Sequence, residues 1–126
     1  MASNSVLFGT KLAYVKTVSV DRTMTTATQV ATLPRGSRIL GFIVNGVASD
    51  AGTTATLSFG STTSSNEFVN GVSVLTGFTN WVNEVDSAAT GTILSTDTSV
   101  YAKYAESGTV SANGAWQVSI LFSQAN

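Results

Sequence analysis

The side chains able to do chemistry in this sequence are few, and most of them fall in one stretch. Glu84 and Asp86 stand two residues apart, so on a strand both face the same side, with Asn80 and Asn83 close by. A carboxylate pair of that kind could serve glycoside hydrolysis or, with amide oxygens, hold Ca²⁺. Trp81, set among Thr79, Asn80 and Asn83, could offer a ring face to a sugar or a partner protein. Each has a plainer reading. Carboxylates that end a strand are ordinarily solvated turn residues, and Trp81 could cap the open end of a core. Histidine and cysteine are both absent. That removes the usual general base near pH 7, the thiolate nucleophile, the commonest metal ligands and any disulfide. No phosphate-cradling glycine loop or nucleophile elbow is present either. The inventory points away from an enzyme, and it calls for no metal or cofactor.

Charge says more about partners than about catalysis. Only 10% of the 126 residues are charged, against about 25% in typical soluble domains. Ser, Thr, Gly and Asn supply the polar faces instead. A surface this short of charge suits a chain held in an assembly, although a secreted or virion β-protein with a Ser/Thr face would look the same. Five of the six cations (Lys11, Lys16, Arg22, Arg35, Arg38) precede Ile39, and six of the seven acids follow it. Such halves could pair within the domain or head to tail between copies. Six cations with no cluster beyond Arg35 and Arg38 cannot neutralise a phosphate track, so nucleic acid is a poor partner.

No apolar run approaches the ~20 residues of a membrane helix, so no membrane partner is expected. The first residues lack the basic and apolar regions of a signal peptide. The expectation is a chain that stays in the cytoplasm where it is made, or leaves it inside a larger particle.

The elements that would position these residues read as strands. The organising stretch is 33–60. Pro34 and Gly36 make a turn, residues 38–44 form a near-continuous apolar run that predicts a strand buried on both sides, and Asn45-Gly46 predicts the turn that ends it. Residues 54–59 then alternate, with Ala55, Leu57 and Phe59 on one face. Before this pair, 11–20 predicts a strand with Leu12, Tyr14, Val18 and Val20 on one face and Lys16 interrupting it. Residues 25–33 predict a Thr-rich edge strand. After it, 67–75 predicts a strand broken at Asn70-Gly71 by a bulge or turn, and 77–85 is ambiguous. Residues 92–94 and 99–105 predict a strand pair around Asp97. Residues 115–122 give the cleanest alternation, with Trp116, Val118, Ile120 and Phe122 inward. Strands at this spacing with no helical period predict a single-domain, all-β antiparallel sandwich, jelly-roll-like, of about eight strands. It would span 11–126, preceded by an arm at 1–10 whose apolar knot Val6, Leu7 and Phe8 docks on its own sandwich or on a neighbour.

Five segments carry a resemblance. They are Thr-Val-Ser-Val-Asp (17–21), Leu-Pro-Arg-Gly-Ser-Arg-Ile-Leu-Gly-Phe-Ile-Val (33–44), Thr-Ala-Thr-Leu-Ser-Phe-Gly-Ser (54–61), Val-Tyr-Ala-Lys-Tyr (100–104) and Gly-Ala-Trp-Gln-Val-Ser-Ile-Leu-Phe (114–122). In this order, over about four-fifths of the chain, they resemble the head decoration, or cement, proteins of tailed bacteriophages. The resemblance implies a jelly-roll-like protein on the outer capsid surface. It would bind the major capsid protein, act as a homodimer or homotrimer, and clamp neighbouring capsomers. No site residues come with the family; from the residues themselves, the expected contacts are Val6, Leu7 and Phe8 on the arm, with Arg35 and Arg38 as polar contacts that position it. The alternative is a receptor- or carbohydrate-binding module of a phage fibre or tail, using Trp81, Asn80 and Asn83.

Overall fold

Alternation decides which face of a strand turns inward, and it survives best where a strand lies between two others. The computed structural model describes residues 13–64, 67–75 and 93–124. Among them the chain forms β1 (Ala13–Asp21), β2 (Thr28–Leu33), β3 (Ser37–Val47), β4 (Thr54–Gly60), β5 (Val69–Ser73), β6 (Thr98–Ser107) and β7 (Ala115–Gln124). Every pairing is antiparallel. A three-stranded sheet, β1-β7-β3, and a four-stranded sheet, β2-β6-β4-β5, close over one core as a sandwich.

Central β7 buries Trp116, Val118, Ile120 and Phe122, and central β6 buries Val100, Ala102 and Tyr104. Both match the alternation in the sequence. Across the sandwich the Phe42 and Phe59 rings stack at 4.8 Å, and those of Tyr104 and Trp116 at 5.6 Å. The segments 38–44 and 54–59 therefore do form the centre of the domain, but as partners facing across the two sheets rather than as neighbours in one. The Thr-rich β2 is an edge strand, as its poor alternation suggested. At Asn70-Gly71 the register of β5 against β4 slips, with Gly71 at φ 78°, so that dipeptide is a bulge.

Three expectations are corrected. Residues 38–44 are not buried on both sides: Arg38 and Leu40 are exposed, and among the described residues β3 lies at the edge of its sheet. The run reads as continuous because a bulge sets Leu40 and Gly41 against Leu121, which moves the inward phase from Ile39 to Phe42 and Val44. Asn45-Gly46 is no turn. It pairs within β3 against Gln117 and Trp116, and glycine is needed because a Cβ on Gly46 would lie 2.2 Å from the Ala115 carbonyl oxygen. Ile93 pairs with Arg38 of β3 instead of with β6. Tyr14 does share the inward phase of β1 with Val20, as expected, and is 42% exposed because cover from the opposite sheet runs out toward the start of β1.

Candidate contact end of the sandwich

The β2–β3 turn, the start of β1, the end of β7 and the segment 93–97 meet at one end of the molecule. Pro34 opens the turn, which closes with the Ser37 N–H donating to the Pro34 carbonyl at 3.1 Å. Gly36, at φ 90°, takes the left-handed conformation that the reversal needs. Its N–H donates to the Leu94 carbonyl, and the Leu94 N–H donates back to the Ser37 carbonyl, both at 2.8 Å. The Arg35 N–H donates to Asp97 Oδ1 at 2.9 Å. The backbone here is well tied, mostly to other backbone.

The side chains are left free. Arg35 and Arg38 are both exposed, and among the described residues neither guanidinium has a hydrogen-bond or ion-pair partner. Ala13, Ser123 and Arg38 stand in one row across the three-stranded sheet. Residues 1–12 therefore join the domain two strands from Arg38, roughly 10 Å away. Two rows along, on the same face, stand Val15 and Leu121, with Leu40 beside them in the bulge. Val15 is 61% exposed, Leu40 42% and Ile93 48%. Tyr14 leans on Phe122 from the other face, with ring centroids 5.7 Å apart.

The carboxylates are used differently. Of the seven acids in the sequence, five lie among the described residues, and each accepts a backbone N–H. Asp50 takes the N–H groups of Ala112 and Asn113 at 2.8 and 2.9 Å. Those of Asn113 and Ala112, in that order, hold its carboxyl below the ordinary range. Glu106 accepts from the Ser111 hydroxyl at 2.5 Å and the Tyr104 hydroxyl at 2.8 Å. These bonds, with the Ser111 N–H and the field of Arg22, lower its pKa as well. Asp21 is lowered by the hydroxyl and N–H of Thr23. Glu67 ties Ser61 and Thr62. Apart from Arg22 beside Asp21 and Glu106, the cationic and acidic halves of the sequence do not pair with each other among the described residues.

Arg35 and Arg38 are thus brought to one end, the end at which β1 begins. Val6, Leu7 and Phe8 lie outside the described residues, as do Trp81, Glu84, Asp86, Asn80 and Asn83. Sequence reasoning missed Tyr14, Val15, Leu40 and Ile93. Strand parity already put Val15 on the polar face of β1, whereas the exposure of Leu40 depends on a bulge that no local signal announces. No cluster of three or more metal-ligating side chains exists among the described residues. A shallow concavity of about 210 Å³ beside Ser19, Asn45 and Gln117 is smaller than ordinary ligand pockets.

No protein-family model matches the chain, and no curated protein matches its sequence. Two solved structures share its fold. A chain of the cyanophage Pam1 capsid asymmetric unit superposes with a TM-score of 0.63 at 22% identity, covering 91% of this chain and 86% of that one. A chain of the acid-stable capsid of Helicobacter pylori bacteriophage KHP30 gives a TM-score of 0.64 at 13% identity, covering 90% and 91%. At such identities the shared property is the two-sheet architecture.

Proposed function

We propose that this chain is a non-enzymatic structural protein of a phage virion, a decoration or cement protein that binds the outside of the major capsid protein shell and bridges capsomers. The observation that carries this reading is the end-to-end fold likeness to chains from two phage capsids. The strand order supports a jelly roll. In each sheet a late strand, β7 or β6, lies between earlier ones, as when one long hairpin is wrapped over a core. The chain then acts through position. Its arm, with Val6, Leu7 and Phe8, docks on a neighbour, and Arg35 and Arg38 orient that contact. A fully buried large apolar side chain contributes roughly 1.5–3 kcal/mol. Repeated around a shell by a homodimer or homotrimer, modest contacts become tight through avidity.

Virions purified to homogeneity should contain the protein in hundreds of copies, and deletion of residues 1–8 should abolish rebinding to shells stripped of it. A handful of copies per particle, or undiminished rebinding of the truncated protein, would refute this assignment.

A further inference from the structure

We infer that the shell surface met by this end of the sandwich is acidic, with an apolar socket between its carboxylates. The inference rests on the virion reading above and specifies the chemistry of the partner. On the same face of the three-stranded sheet, Leu40 follows Arg38 along β3, Ile93 bridges to Arg38, and Val15 lies two rows along and two strands away, all exposed. Arg35 projects from the adjoining turn. Apolar neighbours exclude water when a partner seats. A guanidinium desolvated in this way needs a carboxylate, which its planar fork accepts through two parallel hydrogen bonds.

Two other occupants fit less well. Among the described residues, every carboxylate a second copy would offer, Asp21, Asp50, Glu67, Asp97 and Glu106, already accepts an N–H of that copy's own backbone. Binding there would have to compete with bonds the fold depends on. A phosphate backbone needs a track of cations, whereas here two cations are set among exposed apolar side chains.

The test uses the full-length protein and shells lacking it, with binding isotherms at several salt concentrations. The double variant Arg35→Glu/Arg38→Glu should bind about 100-fold more weakly. Leu40→Ser should lose about tenfold while keeping the salt dependence. Lys103→Glu, the same charge change at an exposed site on the other sheet, should bind within about twofold of the wild type. The altered side chains are all exposed, and unchanged thermal midpoints confirm folding. Wild-type binding that ignores salt, or a double variant that binds normally, overturns this inference alone. An equal loss from Lys103→Glu overturns it too, since bulk charge would then suffice. Loss of self-association with shell binding intact would identify a second copy as the occupant and also overturn it. Failure of the wild type to bind shells at all overturns the virion reading and this inference together.

Discussion

At the end of the sandwich where β1 finishes and β7 begins, side chains hold the backbone. Asp50 reaches over to the amides of Ala112 and Asn113, and a chain of donors runs from the Ala51 N–H through the Ser49 and Tyr104 hydroxyls to Glu106. Each link polarises the next, and the arrangement leaves few polar side-chain groups free. At the other end, where β1 starts, backbone mostly holds backbone through Gly36, Ser37 and Leu94, and Arg35 and Arg38 are left to solvent. The two ends solve the same problem of tying loops with opposite materials. Asp50 and Glu106 close one end and Asp97 holds backbone at the other, so the Arg35 and Arg38 guanidinium groups are left without a carboxylate partner among the described residues.

The sharpest way to break this contrast is to disturb the backbone packing of the locked end. A Cβ on Gly52 would lie 2.2 Å from the Thr109 nitrogen, across a pair of strand-like hydrogen bonds. Gly52→Ala should destabilise the protein by about 2–3 kcal/mol in denaturant melts. Next in size is Tyr104→Phe. It leaves the buried Ser49 hydroxyl without its 2.6 Å partner, and the expected loss is about 1–2 kcal/mol. By comparison Arg35→Ala or Leu40→Ser should stay within about 0.5 kcal/mol, as exposed substitutions do. Equal costs at both ends would erase the distinction.

The smallest effect is a dependence on acid. Asp50, Glu106 and Asp21 titrate below their ordinary values of 3.8, 4.5 and 3.8 because the folded chain donates hydrogen bonds to the ionised forms. A lowered folded pKa gives stability that is complete above the ordinary value and is lost as pH falls through the folded one. Thermal midpoints should therefore be flat from neutrality down to the ordinary carboxylate range and fall only below it. Asp50→Asn should flatten part of that fall. A midpoint that rises on acidification would show that these bonds do not hold the locked end.

Much of the fold was legible because parity survives in strands flanked on both sides. Trp116, Val118, Ile120 and Phe122 declare the inner face of β7, and Ala55, Leu57 and Phe59 that of β4. What was not legible came from long-range geometry. The bulge at Leu40 changes parity in mid-strand, and Gly46 is a turn signal by local preference although packing against Ala115 is what demands it. The contact end was half legible. Arg35 and Arg38 stood out as residue types, but that the acids bind backbone N–H groups and leave these guanidinium groups unpaired depends on which loops the acids cap, and sequence spacing does not carry that.

The antiparallel register of β1 along β7 has a mechanical consequence. Ala13 through Asp21 pair one for one with Ser123 through Ala115, in a strand of nine residues. For a pull on Ala13 along the strand axis, the hydrogen bonds that resist it lie across the force. Tension is thus shared by the whole ladder at once instead of opening it bond by bond. Loaded in that direction, the domain yields in shear, the stronger mode.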